Sequence, residues 1–451
     1  MMGLQATKRE LFVTVSLDEY VPEDHLLRAV DRYLDLSDFQ QNLAESYSHT
    51  SRPSIDPELL ARMLIIAYCY GIRSERRLCE DVGMNLAYRW FCRLRLKDKV
   101  PDHSSFSKNR HGRFRDHDAF RKLFDSVLQR CMAEGLVQGE GFATDASMIK
   151  ADAQRHRSCP GSADIDWGDP QRASRPVREY LAALEPANPV PPTPKRMSLT
   201  DPASTWTAAA GQAIFAYSTN YLIDLEAGII VDVEASAVNK MAEVEATKIM
   251  IDRVEEKFAI KPRRLVGDTN YGVAAMLGWL VDEKRIAPHV PVWDKSERHD
   301  GTFSRTDFFF DADNNRYVCP AGKSLRPPQR GQVKTPLRYR ASVYDCRVCD
   351  LKSKCCPNMV ARKIDRSPQE PARDVARAIG KTEAYRQSRC ERKKVEMLFA
   401  HLKRIVKLGQ LRLHGPSGAH DEFLLVATAQ NLRRMAKKLF LPDRNMKPMI
   451  S

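Results

Sequence analysis

At 451 residues the chain exceeds one domain of ordinary size, so two or three compact units are expected. Its 43% hydrophobic and 29% charged residues suit a globular protein in water, and no apolar run approaches the roughly eighteen residues that a membrane-spanning helix needs. Lysine and arginine outnumber aspartate and glutamate by 72 to 58, a formal charge of +14, which favours a polyanionic partner such as nucleic acid.

The opening segment MMGLQATKRELF lacks the basic-then-apolar layout of a secretory signal, so a cytoplasmic protein with no membrane partner is expected. Residues 1–135 read as a succession of short helices. Leu60, Met63, Leu64, Ala67 and Tyr68 form one apolar face stopped by Gly71, and Ser74 and Asn85 are suited to cap the helices that follow. Phe120, Leu123, Phe124, Val127, Leu128, Cys131 and Met132 make a second stripe, ended by Gly135.

From Gly141 the pattern turns to strands: GFATDASMI, then FAYSTNYLIDL and GIIVDVEAS, a hairpin about Ala227 and Gly228. A helix over Met241–Phe258 follows, then the strand of RRLVGDTNYG breaking at Gly267, a helix over 273–285 and the strand of IAPHVPVW. Three strands, a helix, a strand, a helix and a strand is the order of an RNase H-like sheet. The expected class is therefore α/β: an N-terminal all-α domain (1–135), an RNase H-like mixed-sheet core (136–293), an inserted cysteine-rich subdomain (294–378), and C-terminal helices of the core (379–451). Within the core, residues 153–207 are rich in Pro, Ser, Arg and Asp and read as a long exposed loop.

Three acids stand out against this frame. Asp145 lies in the first core strand among Phe142, Ala143 and Thr144, where a carboxylate in apolar company demands compensation. Asp268 ends an apolar strand and enters a glycine-flanked loop. Glu396 sits on a helix expected to start near Thr382 and to run through SRCERKKVEMLFAHLKRIVKLGQLR, with Arg392, Glu396 and Lys403 on one stripe beside the apolar face. Carboxylates gathered from separate elements can hold two Mg2+ ions, or Mn2+, about 3.5 to 4 Å apart for in-line attack on a phosphodiester. Each acid alone also fits a bland role as turn former, helix cap or solvated ion pair. Asp152, Asp224, Asp232 and Glu391 are the rival acids.

Five of the eleven cysteines crowd between Cys319 and Cys356, in CPAGK, a CxxC and KSKCCP. Cys319, Cys346, Cys349 and Cys355 are a possible set of structural Zn2+ ligands, with buried reduced thiols as the other reading. Basic residues gather on the late helix (Arg392, Lys393, Lys394, Lys403, Arg404, Lys407, Arg412) and near the C-terminus (Arg433, Arg434, Lys437, Lys438). The leader helices add Arg73, Arg76, Arg77, Arg89, Arg93 and Arg95. Of these, Arg392, Lys403, Arg404 and Lys407 are the first candidates for DNA phosphates, and the leader is the candidate for reading DNA sequence.

At these residues the chain resembles the bacterial insertion-sequence DDE transposases of the broad IS-four/IS-five group. VPEDHLLR, RPSIDPELL, YGIRSERRL, NLAYRWF and VPDHSSFSKNR are similar to the helical leader of one branch. TDAS around Asp145, GDTNYG around Asp268 and RKKVEMLFAHLKR around Glu396 are similar to the three acid-bearing motifs. The resemblance implies metal-dependent cleavage at element ends and strand transfer into target double-stranded DNA, by a homodimer that holds two ends together. One departure is visible: the group often carries Tyr three residues before the arginine of the helix motif, whereas position 389 is Arg. A metal-dependent nuclease without joining, and an inactive DNA-binding regulator descended from such an enzyme, are the alternatives.

Overall fold

Helix-forming and strand-forming stretches separate along the chain much as their apolar spacing dictates. The computed structural model describes residues 16–43, 55–169, 172–184, 193–209, 211–294, 300–328 and 337–440. The segment MMGLQATKRE and the Arg52–Ser54 part of RPSIDPELL lie outside them. The chain forms two compact units, residues 1–261 with 393–451, and residues 262–392.

In unit 1, helix α1 (Pro57–Tyr70) begins where the Asp56 carboxylate accepts from Glu58 N at 2.8 Å, and it ends at Gly71, whose φ of +64° continues no helix. It is not the one-faced helix its spacing suggests. Leu60 to Cys69 are buried on every side, Arg62 included, because that guanidinium is taken up by Asp31 at 2.7 Å and Glu58 at 2.8 Å. Helix α2 (Glu75–Met84) is capped by Ser74, and Asn85 caps the next, both as expected. The stripe from Phe120 to Cys131 is the buried face of α3 (Ala119–Ala133).

Strand β1 (Gly141–Lys150) pairs antiparallel with a long later strand, from Phe142 opposite Asp224 to Lys150 opposite Ala216. Between them the chain forms β2 (Thr205–Ala209), which pairs with the start of that long strand, β3 (Gln212–Asp224). The expected hairpin is present. β4 (Ile230–Ser236) returns along β3, and the Asp224 carboxylate accepts from Glu226 N and Ala227 N, both at 3.0 Å, to shape the turn.

Helix α4 (Lys240–Phe258), capped by Asn239, packs on β3 and β4. After the chain returns at residue 393 come α5 (Lys393–Arg404), which packs on β1, and α6 (Gly415–Leu439). The last packs on α1, α3 and β4 and is buried along most of its length, so its Phe423, Leu424, Leu425, Val426 and Leu432 each add about 1.5–3 kcal/mol of burial.

Two expectations fail. Residues 153–207 are not one long loop: Ser158–Pro160 pairs with Arg196–Ser198, and a helix spans Arg175–Leu184. These pieces are held by a few buried anchors, Pro176 and Val177 on the helix and Met197 and Ser198 on the strand, and by Asp201, which accepts from Tyr217 Oη at 2.5 Å and from Gly415 N at 3.0 Å. The long helix from Thr382 is two helices, Glu383–Glu391 and α5, with Arg392 between them and α5 ending at Arg404. The first belongs to unit 2, where Ser388 bonds Arg264 and His289 and Glu391 pairs with Arg264. The second is anchored in unit 1 by Val395, Phe399 and Leu402.

Unit 2 holds a short parallel pair, Arg264–Val266 with Ala287–His289, joined through helical turns over 269–283. It also holds a five-stranded antiparallel sheet, in the order Lys363–Arg366, Leu337–Ala341, Ser324–Arg326, Arg316–Val318, Phe309–Asp311. The core of that sheet is small: Phe308, Tyr317, Leu325, Tyr339, Ile364 and the Cys355–Cys356 pair. No helix among the described residues is long and apolar enough to cross a membrane.

Candidate active site and basic surface

Alternation along β1 decides where Asp145 faces. Thr144 is fully buried toward α4, its hydroxyl 2.8 Å from that of Thr247, so Asp145 faces the opposite side of the sheet. Its cross-strand partner is Tyr221, whose ring stacks on Phe399 of α5 with centroids 4.9 Å apart and whose hydroxyl donates to Gln430 of α6 at 3.0 Å. Asp145 therefore shares the side of the sheet covered by α5 and α6. The residue is half-buried rather than wholly enclosed, and Ala146 N donates to its Oδ1 at 2.9 Å.

Glu396 lies in the first turn of α5, three residues before Phe399 and so on a neighbouring stripe of the helix. It is exposed, and among the described residues no hydrogen bond or ion pair engages its carboxylate. A carboxylate in a first helical turn is favoured by the helix dipole. Lys403 and Arg404 follow on α5 and are exposed, as is Lys407 beyond its end. Arg392 is the C-cap of the preceding helix, Glu383–Glu391, and belongs to unit 2.

Asp268, in unit 2, sits at the end of the Arg264–Val266 strand as expected, half-buried, and accepts from Asn270 N at 2.7 Å to cap the turn Thr269–Tyr271. The bland role is thus one that it fills. The rival acids are more fully committed. Asp232 is buried between Arg121 at 2.6 Å and Arg253 at 3.0 Å, Asp224 shapes the hairpin, Glu391 pairs with Arg264 at 2.9 Å, and Asp152 meets Gln410 and His414. Burial raises the Asp224 carboxyl above its ordinary range.

Several basic residues named from sequence hold the protein together. Arg89 is buried and donates to the carbonyls of Gly83, Arg95 and Asp98. Arg433 donates to Cys69 O and Arg434 to Ala227 O. Arg93 and Arg95 are exposed, though Arg93 pairs with Asp31 and Arg95 with Asp98. Arg76, Arg77, Lys437 and Lys438 are exposed. A lysine that the sequence reading passed over, Lys150, stands exposed at the end of β1.

In unit 2, Cys319, Cys346, Cys349, Cys355 and Cys356 line one small cavity. Cys319 opens the turn between two strands, where Lys323 N donates to its Sγ at 3.3 Å and Gly322 takes a φ of +76°. Burial pushes the Cys346 thiol up, with Cys356, Cys319 and Cys349 adding to the effect. Cys355 is pushed up to about 12 by burial and by the adjoining Cys356. All are free thiols. Among the described residues no group of three or more His, Cys, Asp or Glu side chains is arranged to hold a metal ion.

Two families match separate stretches of the chain: one described as a transposase domain (DUF772) over residues 15–112, and one described as a transposase DDE domain over residues 318–436. The second match includes Glu396 and the cysteine cluster and stops short of Asp145 and Asp268. No curated protein and no solved structure matches the chain. With a transposase domain toward one end and a transposase DDE domain toward the other, the two matches support an insertion-sequence DDE transposase.

Proposed function

We propose that this transposase cuts DNA at the ends of its element and joins the freed ends to target duplex DNA. The reaction is in-line attack at phosphorus, first by water and then by the freed 3'-hydroxyl. The observation that supports the reading is that Asp145 faces the side of the unit 1 sheet on which α5, the helix of Glu396, packs, and that among the described residues no hydrogen bond or ion pair engages Glu396, while the rival acids are spent on turns and ion pairs. The antiparallel run of β1, β3 and β4 followed by α4 supports an RNase H-like core.

Hard carboxylate oxygens from Asp145, Glu396 and Asp268 fit Mg2+ or Mn2+, which when bound would lower the charge of the phosphate and raise the acidity of the attacking water. Lys403 and Arg404 would neutralise flanking phosphates, and Arg392 would contact DNA from the end of its own helix. Two element ends must be held together for joining, which calls for a homodimer on DNA.

Asp145→Asn and Glu396→Gln are expected to keep the fold and DNA binding and to lower Mg2+-dependent cleavage of a duplex carrying the element ends by a thousandfold or more. Wild-type-like cleavage by either variant would remove that residue from the site. Cleavage without joining of labelled ends would point to a nuclease, and binding without cleavage by the wild-type protein to a regulator.

For the cysteine cavity, we infer a structural Zn2+ held by Cys319, Cys346, Cys349 and Cys355, with Cys356 a competing fourth ligand. Sulfur donors around one cavity and an N–H donated to Cys319 Sγ suit a thiolate site.

A further inference from the structure

An open cleft of about 630 Å3 lies in unit 1 where three segments remote in sequence meet. Arg73 comes from the turn after α1, Lys150 and Asp152 from the end of β1, and Lys407, Gln410 and Arg412 from the segment after α5. The walls are built from backbone. Leu411 N donates to Lys150 O at 2.7 Å, Lys150 and Gln410 form a parallel bridge, and the Arg73 guanidinium donates to Gln410 O. Gly71 lets α1 close on the same segment, since a Cβ there would fall 2.5 Å from Ile405 O.

The lining is mainly basic, with Arg73 paired to the buried Glu422 at 3.5 Å. Asp152, the only acid among its lining residues, is engaged by the Gln410 amide at 3.3 Å and lies 3.4 Å from His414. Lys150 and Lys407 are exposed, and among the described residues no hydrogen bond or ion pair takes up either ammonium. Deeper in, burial and the nearby Arg110 and Arg73 hold the Arg412 guanidinium below its ordinary pKa, opposed by Glu75. An anion entering from solvent would relieve that crowding of positive charge.

We propose that this cleft is a backbone-phosphate site for duplex DNA, with Lys150 and Lys407 as its outer contacts and Arg412 behind them. The proposal rests on the reading of the chain as a DNA-cutting enzyme. A wide, open basic cleft suits a polymer more than a small anion, and arginine and lysine together are the usual phosphate contacts.

The test is the salt dependence of binding, with the full-length protein and a random-sequence duplex of about three helical turns. The paired substitution Lys150→Gln with Lys407→Gln is compared with wild type and with Arg130→Gln, an exposed arginine on α3 that pairs with Glu134. Each lost phosphate contact lowers the magnitude of the log K against log [salt] slope by about 0.9. The pair is therefore expected to lose nearly two units of slope, and affinity near 0.1 M salt roughly sixtyfold, with Arg130→Gln unchanged and circular dichroism the same for all three. An unchanged slope, or an equal loss in Arg130→Gln, overturns the proposal. Failure here leaves the cleavage reading to its own carboxylate variants, because this measurement needs neither metal nor element ends.

Discussion

His420 on α6 stands between arginines: Arg121 Nη2 lies 3.1 Å from its Nε2, and Glu234 Oε1 lies 3.4 Å from its Nδ1. Arg121 can only donate, so Nε2 must accept, and the ring is neutral with its proton on Nδ1. Burial, reinforced by Arg121 and Arg253, holds its pKa down to about 3, against an unfolded value near 6.5. Between those two values the unfolded chain binds the proton and the folded chain does not. Stability from this residue is therefore present above about pH 6.5 and is lost as pH falls toward 3. Denaturant titrations from pH 7 to 4 are expected to show a steeper loss for wild type than for His420→Asn; parallel curves would mean that the ring does not carry the linkage.

The candidate acids show what single residues reveal in sequence. Asp145 stands out as a candidate because an acid in a run of apolar strand residues has few ordinary explanations, and strand alternation then fixes its side. Asp268 was legible only as a strand end, a position that its role as a turn cap explains equally well. Arg89 was misread because a surface arginine and a buried arginine bonded to three carbonyls look alike without the fold.

At the scale of elements, α1 and the segment after α5 meet through main chain. Gly71 has a φ of +64°, a conformation costly for other residues, and its open side faces Ile405 O. Gly71→Ala is expected to destabilise the protein by about 1–3 kcal/mol, from left-handed strain together with displacement of that carbonyl. Urea unfolding measures it directly, and a loss below about half a kcal/mol would show that the contact is slack. The helices, the hairpin and their caps were readable from periodicity and turn residues. The elements within 153–207 were not, since each is held by one or two long-range anchors instead of a repeating apolar face. The break at Arg392 was equally hidden, because no Pro or Gly marks it and the two helices are anchored in different units.

For the molecule as a whole, the chain leaves unit 1 at residue 261 and re-enters it at 393, so unit 2 is inserted within unit 1 along the sequence. Two units with separate cores need not unfold together. The five-stranded sheet of unit 2 rests on a handful of buried side chains, a size of core that often needs a staple. If the cysteine cavity holds zinc, purified protein should contain about one equivalent, and stripping it with a strong chelator should lower one calorimetric transition while leaving the other in place. Less than a tenth of an equivalent, or no shift on stripping, would leave those sulfurs as reduced thiols.

The backbone contact at Gly71 bears on domain exchange. Replacing the leader with that of another transposase would transplant α1 onto a seat shaped for a residue without a side chain. Such hybrids should assemble only when the donor supplies glycine at that position and, two residues later, a guanidinium able to hold the carbonyl of Gln410.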